Sequence, residues 1–412
     1  MMNKKLNVQW FIEQHSDWEK LLSEKPYSIT ITHDVVDGRK LMMFKYSQID
    51  SDFNLELVRE CRGLILDEDT LEIVCFPFKK FGNYGESYCP DIDWKSCWVG
   101  EKIDGSLIKV VKSKNGLLIS TNGVIDAFKA PVAEQIGCPA KSYGDLFCLA
   151  VQRAYADYHE YSQKNKLATF DWVLTPLQWL SSMISENVTY MFELTSPWNK
   201  VVVNWHEIQT FFLGARDNKT FQETYFSEHP LSKWFKTPAV FPLKSVDECV
   251  EAAKKLDCSH EGYVVCDKNF NRVKVKSPTY VALHHMKNNG ILSYERGVEI
   301  VRGNELDEVL TYFPEFKEHL EKIKAIYDKA IDDIKALESK MNEWLSDNGY
   351  VDKHWLIENG GKDRKLLAAW LYKNTKHPAF GFMLADGKIS SADEWLKQMP
   401  SSKLVTFLGL KD

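Results

Sequence analysis

Residues 98–111 read WVGEKIDGSLIKVV. The run is rich in apolar and β-branched residues that favour a pleated strand, yet it carries Lys102 and, two positions on, the turn-forming pair Asp104-Gly105. A lysine just ahead of a tight turn projects into the cleft the turn borders, and a glycine there lets backbone approach a ligand closely. An ordinary lysine, with a pKa near ~10.4, is under ~0.1% neutral at pH 7, so nucleophilic use of Lys102 requires burial or neighbouring cations. The stretch reads as strand, turn, strand, with a lysine at the junction that is either a solvated strand lysine or, if cations stand nearby, a nucleophile.

Working outward, residues up to about 285 alternate short β-rich runs with turns. ECRGLILDEDTLEIVCFPF reads as two strands around an Asp-rich turn, and EKIDGSLIKVVKSKNGLLIST continues into a hairpin with Asn115-Gly116 at its tip. YGDLFCLAVQRAYADYHEYSQKN has helical spacing, and TPLQWLSSMIS adds a shorter helix. The pattern predicts an α+β unit with antiparallel sheets over residues 1–288. Beyond it the texture changes. Phe316, Leu320, Ile323, Tyr327, Ile331, Ile334, Leu337, Met341 and Leu345 recur at three- and four-residue steps, a long amphipathic helix ending near Asn348-Gly349. KDRKLLAAWLYKN and SADEWLKQM read as further helices, so residues 289–412 are expected to form an all-helical domain.

The first unit also supplies cations for Lys102. NRVKVKS places Val273 and Val275 on one strand face and Lys274 and Lys276 on the other, so two ammonium groups point the same way. Such a pair is either solvated or holding something strongly negative. EGYVVCDKN is a strand just upstream, and the hairpin it makes brings Glu261 towards the same face. TYMFELTS sets Glu193 in an apolar strand, where an unpaired buried carboxylate is costly. ECRGL puts Arg62 in an apolar setting, and FPFKKFGN sets Lys80 beside aromatic surface. Basic groups with isolated carboxylates suit phosphoryl or nucleotidyl transfer, because cations stabilise charge on phosphorus while carboxylates hold a hydroxyl or a divalent metal. No GxxxxGK[ST] loop is present, so side chains must hold the phosphate.

Composition excludes several classes. The 412 residues and their apolar and charged fractions are those of a globular chain, and the net charge of −6 leaves room for a local basic groove. No apolar run is long enough to span a bilayer, and the opening residues break into charge too soon for a secretory apolar region, so the chain is expected to be soluble and intracellular. Nine scattered cysteines without a CxxC pair suit neither a disulfide framework nor a zinc site. The adjacent His284 and His285 are poor joint ligands and read as surface or groove residues.

Taken in order, Lys102-x-Asp104-Gly105, MFEL with Glu193, EGYVV with Glu261 and VKVK with Lys274 and Lys276 resemble the covalent nucleotidyltransferases, comprising polynucleotide ligases and messenger-RNA capping enzymes. ECRG, KKFGN and the tail segment GGKDRK (Gly360 to Lys365) are similar to the RNA ligase 1 branch, the ATP-dependent phage-type tRNA-repair ligases. The resemblance implies an ATP-grasp-like nucleotidyltransferase fold of antiparallel sheets with flanking helices, and a helical C-terminal domain for RNA or tRNA specificity. It further implies that Lys102 attacks the α-phosphorus of ATP and carries AMP, and that Glu193 binds the ribose. Lys274 and Lys276 would contact the α-phosphate as catalytic groups, and Arg62 and Lys80 would grip the triphosphate end. Glu101, Asp104 and Gly105 would complete the nucleotide site, and Glu261 would serve a magnesium or manganese ion. The implied partner is RNA with 3'-hydroxyl and 5'-phosphate ends, nicked tRNA above all, handled by a monomer in the cytoplasm, the host's for a phage-encoded chain.

The chain departs from the family in two places. ISTNGV, around Thr121 to Gly123, stands where the family often shows a lysine-rich KSKGS, and residues 141–180 are longer than usual. Two rival readings have their own signatures. A DNA ligase or capping enzyme would follow the last lysine motif with an oligonucleotide-binding β-barrel. An RNA-end-binding protein without turnover would not need Lys102.

Overall fold

The computed structural model describes residues 4–114, 116–132, 137–165, 174–257, 259–285, 292–349 and 362–410. The chain divides into two compact units, Met1–His284 and His285–Asp412.

The first unit holds thirteen described strands. They are β1 (Ile29–Val36), β2 (Arg39–Tyr46), β3 (Arg62–Asp67), β4 (Ile73–Cys75), β5 (Trp98–Glu101), β6 (Ser106–Ser113) and β7 (Gly116–Thr121), then β8 (Val188–Thr195), β9 (Gln209–Asp217), β10 (Glu223–Tyr225), β11 (Val240–Phe241), β12 (Gly262–Cys266) and β13 (Arg272–Lys276). They form three sheets, ordered β1-β2-β3-β4, β10-β9-β8-β6-β7 and β11-β5-β12-β13, and the strand pairs within each sheet are antiparallel. The α+β class expected from the sequence is the one observed.

Local chemistry accounts for the joins. Asp37 and Gly38 both have positive φ (52° and 75°), the backbone that lets a two-residue turn match the twist of β1 and β2. β6 and β7 pair from Ile108↔Thr121 to Ser113↔Gly116, as the hairpin reading requires; its tip residue Asn115 lies outside the described residues. On β6, Ile108 and Val110 point to one side and Leu107 and Lys109 to the other. The first side is covered by the helix Tyr143–Lys164, opened by a capping box in which Ser142 Oγ accepts from Asp145 N (3.1 Å) and Asp145 Oδ2 accepts from Ser142 N (3.0 Å). Leu146, Phe147, Val151 and Ala154 of that helix pack with Phe192 and Phe212 into the largest core of the unit. Burying such a side chain contributes ~1.5–3 kcal/mol. The opposite side of the sheet is left to build a site. Residues 166–173, within the long segment noted above, lie outside the described residues.

In the second unit the long helix runs Lys317–Asp347 and buries Leu320, Ile323, Tyr327, Ile334, Leu337, Met341 and Leu345 on one stripe. Phe316 belongs to the preceding 3-10 turn, Pro314–Phe316. Helices Lys362–Asn374, Pro378–Ala385, Ala392–Gln398 and Ser401–Phe407 complete this unit's core through Leu367, Leu371, Phe380, Leu384, Leu396 and Leu404. Gly360 and Gly361 of GGKDRK, and the side chains of Lys362, Asp363, His284 and His285, lie outside the described residues.

Candidate active site

The lysine at the head of the decisive stretch stands where the chain leaves one sheet for another. β5 ends at Glu101, whose N–H donates to the Ala239 carbonyl (2.7 Å), and Lys102 N–H donates to the Gly262 carbonyl (2.8 Å). Ile103, Asp104 and Gly105 then cross to β6 in the five-stranded sheet. Asp104 holds this crossing in place. Its Oδ2 accepts from the backbone N–H groups of Val202 (2.9 Å) and Val203 (2.7 Å), its Oδ1 from the Tyr280 hydroxyl (3.0 Å), and its carbonyl from Trp205 Nε1 (2.7 Å). Gly105 is required by proximity, since a Cβ there would lie 2.4 Å from the Leu194 carbonyl oxygen. The turn is therefore pressed against β8, and Lys102 faces the seam between sheets.

Two carboxylates meet it there. Lys102 Nζ lies 2.6 Å from Glu261 Oε2, and the Glu261 side chain is only 6% exposed. Gly262, at φ +139° with no room for a Cβ beside the Val275 carbonyl (2.2 Å), sets the start of β12 and so the direction of Glu261. Glu193 enters from β8. Burial pushes its carboxyl up to about 7, against the pull of Lys102 and Arg62 and with added repulsion from Glu261 and Asp104.

Lys102 and Glu193 border a pocket of about 270 Å³, close to the lower end of the ~300–1,000 Å³ usual for small-ligand sites. Arg62, Glu101, Lys102, Gly105, Glu193 and Lys274 line it, with Phe81, Trp98 and Val264 as apolar walls. The Arg62 guanidinium lies 5.3 Å from the Phe81 ring centre and Lys274 Nζ 5.6 Å from the same ring. Nη1 of Arg62 and Oδ1 of Asn122, a further lining residue, are buried without a hydrogen-bond partner among the described residues. Buried polar atoms left so are rare and call for an explanation.

Asp104, Glu261, Lys80 and Lys276 fall outside this lining. Lys276, two residues along β13 from Lys274, sits 5.8 Å from the Tyr280 ring. Lys80 Nζ donates to Gln48 Oε1 (3.1 Å) over the Phe53 ring (4.7 Å), and it borders a second cavity of about 450 Å³ with Arg59 and Lys79. Phe81 and Arg272 line both cavities. Arg272 is fixed by Glu223, which it shares with Arg216 in a buried triad (Arg272 Nη2 to Glu223 Oε2, 2.5 Å).

Sequence reading missed Asn122, Arg272, Lys109 and the Asp104–Tyr280 bond. Lys109 carried a usable signal, a lone lysine inside the β-branched run LIKVV. Among the described residues, no group of three or more His, Cys, Asp or Glu side chains is placed to hold a metal ion, and no helix is long and apolar enough to cross a membrane.

A seam lysine beside carboxylates, walled by arginine and lysine on antiparallel sheets, is a candidate site for an anionic ligand, and the comparisons with known proteins bear on its kind. The sequence signature of a family described as RNA ligase matches residues 60–280, the range holding the lining residues named for the 270 Å³ pocket. The chain belongs to this RNA ligase family. An RNA ligase of Rhodothermus phage RM378 is 25% identical over 425 residues, covering 89% of this chain and 88% of that protein. A protein of Autographa californica nuclear polyhedrosis virus named for polynucleotide kinase and RNA ligase is 31% identical over 290 residues; the match takes in 67% of this chain but only 38% of the viral protein. Among solved structures, an archaeal ATP-dependent RNA ligase aligns over 80% of this chain and 83% of its own at 13% identity, with a TM-score of 0.41.

Proposed function

We propose that this protein is an ATP-dependent RNA ligase that joins a 3'-hydroxyl to a 5'-phosphate through AMP held covalently on Lys102. The observation that carries the reading is the Lys102–Glu261 pair, 2.6 Å apart, beside a pocket whose Arg62 Nη1 has no hydrogen-bond partner among the described residues. A guanidinium nitrogen in that position is a donor waiting for an anionic acceptor.

In the first step the Lys102 amine sheds a proton, for which Glu261 is the acceptor within reach, and Nζ bonds to the α-phosphorus of ATP as the bond to pyrophosphate breaks. Lys274 and Lys276 would face the α-phosphate, and Arg62 and Lys80 the triphosphate end, Lys80 from the adjoining cavity. Glu193, held partly protonated, can both donate to and accept from a ribose hydroxyl. Glu101 borders the same nucleotide, while Asp104 and Gly105 act by fixing the turn that presents Lys102. A magnesium or manganese ion would add positive charge at the phosphate oxygens; Glu261 together with the phosphates themselves suits it, since these hard cations take oxygen ligands. In the second step an oxygen of the RNA 5'-phosphate bonds to the AMP phosphorus and the P–N bond breaks, returning the amine. In the third, the 3'-hydroxyl attacks that 5'-phosphate and AMP leaves. Pyrophosphate and later the RNA end must occupy the same side of the site, because pyrophosphate departs, and the RNA 5'-phosphate enters, opposite Lys102 Nζ.

Repair of tRNA broken in its anticodon loop is the role we assign, by a monomer working in the cytoplasm. The described residues 292–349 and 362–410 form helices rather than the strands of an oligonucleotide-binding barrel, which favours an RNA ligase over a DNA ligase or capping enzyme. Sealing assays test the reading. A 5'-phosphorylated, 3'-hydroxyl RNA should be joined only with ATP and a divalent cation, and a nicked tRNA at least tenfold more efficiently than an unstructured strand. Equal efficiency removes the tRNA assignment, and RNA binding without sealing leaves an RNA-end-binding protein.

A further inference from the structure

Lys109 of β6 is fully buried, and no carboxylate pairs with it among the described residues. Its Nζ donates to the Gly63 carbonyl at 2.5 Å. The side chain has two further donors to place. Burial pushes the ammonium down to about 8; the nearby Cys75 sulfur opposes the shift and the Arg62 guanidinium adds to it.

Its position ties it to the pocket. Leu107 and Lys109 share one face of β6, and Leu107 lines the pocket opposite Glu193 of β8. Lys109 occupies the next row along that face, between Met191 of β8 and Ser120 of β7. Over this row lies the start of β3. Gly63, at φ +75°, is pressed so closely that a Cβ on it would stand 2.6 Å from Lys109 Nζ and 3.1 Å from Asn122 Cα. Gly63 is thus seated directly on Lys109 and Asn122, and two atoms buried without partners among the described residues, Arg62 Nη1 and Asn122 Oδ1, belong to the residue beside Gly63 and to one of those beneath it. A buried ammonium beside a half-buried guanidinium is repelled by it, and an anion brought to the pocket offsets both charges at once.

We propose that Lys109 is a positioning residue for phosphate binding, a buried cation that seats the Arg62–Gly63 segment and so aims the Arg62 guanidinium at the nucleotide's phosphates without touching them. The proposal rests on the ligase reading above. Lys109 acts through Arg62, so its removal weakens the hold on ATP rather than slowing the chemistry at Lys102.

The test measures AMP transfer to Lys102 against ATP concentration in the full chain with magnesium, for the wild type, Lys109→Met, Arg62→Met and the double variant. Methionine keeps the apolar stem and removes the charge. At pH 7 the expected result for Lys109→Met is at least a tenfold rise in half-saturating ATP, with the rate at saturating ATP within about threefold of wild type. The double variant should be no worse than Arg62→Met, the non-additivity of two groups acting as one. A role in folding alone would not produce a further sign. The groups that face Lys109 from the packed strands are Arg62 of β3 and Cys75 of β4, whose thiol burial pushes up. As pH rises through about 8 the wild type loses the Lys109 charge, so its half-saturation should climb towards that of the variant. Melting curves check that Lys109→Met is folded, with Lys109→Leu as the substitute if it is not. Unchanged half-saturation in a folded variant, or additive losses in the double variant, overturns the proposal. A wild type that takes no AMP overturns the ligase reading first and this inference with it.

Discussion

Lys102 and Glu261, 159 residues apart in sequence, meet with Nζ 2.6 Å from Oε2 at the junction of two sheets. The contact joins the end of β5 to the start of β12, and it places a carboxylate on the one amine proposed to form a covalent bond. Replacing Glu261 by Gln keeps the shape and removes the charge. Single-turnover AMP transfer should then fall at least tenfold, about 1.4 kcal/mol in barrier, without loss of the folded state. Wild-type transfer by Glu261→Gln would remove Glu261 from the chemistry.

Asp104 makes a separate prediction, because its carboxylate is spent on protein donors. Asp104→Ala strands the N–H groups of Val202 and Val203 and the Tyr280 hydroxyl. At ~1–3 kcal/mol for each buried group left unsatisfied, the loss should reach several kcal/mol, whereas Tyr280→Phe should cost about 1 kcal/mol. Denaturant midpoints should rank wild type above Tyr280→Phe above Asp104→Ala, and indistinguishable midpoints would refute this role.

Glu193 predicts a pH dependence. Its carboxyl is raised from 4.5 to about 7 in the folded chain, so folding binds a proton more tightly than the unfolded chain does. The associated stability is fully present below pH 4.5 and is lost as pH rises through 7. Glu60, also pushed up to about 7 by burial, acts in the same direction, so the informative quantity is the difference between wild type and Glu193→Gln. That difference should move in favour of the variant between pH 4.5 and 7 and level off above. A gap independent of pH would mean that folding does not raise the Glu193 carboxyl.

Much of this site was legible in the sequence, for a definite reason. Lys102, Glu193, Glu261 and Lys274 are charged residues inside strand-like runs, and period-two alternation tells which neighbours share their face. Strand pairing is not visible in that way. ISTNGV read as the loss of a cationic segment, yet Ser120 pairs across the hairpin with Lys109, which brings a cation to the same floor from the neighbouring strand. Asp104 read as support for the lysine, but its partners Val202, Val203 and Tyr280 lie about a hundred residues or more away, beyond any local pattern. Lys80 read with Arg62 as one anion grip, and the structure sets it in the adjoining cavity because Gln48, Tyr46 and Phe53 hold its ammonium there. The division between an α+β unit and helices was plain because the hydrophobic period changes from two to 3.6.

The Arg216–Glu223–Arg272 triad gives a prediction at the pocket wall. Glu223→Gln leaves two guanidinium groups buried side by side, and breaking such a pair typically costs ~3–5 kcal/mol. The melting temperature should fall steeply, and ATP-dependent AMP transfer should fall with it because Arg272 borders both cavities. A variant as stable as wild type would show that the triad is replaceable by neutral hydrogen bonds.

The most direct measurement is the intact mass of the protein after incubation with ATP and magnesium, for the wild type stripped of any bound AMP and for Lys102→Ala. The account predicts a gain of one AMP on the wild type and none on the variant. A folded wild type that gains no mass, or a variant that gains it equally, would contradict the assignment of Lys102 as the nucleophile.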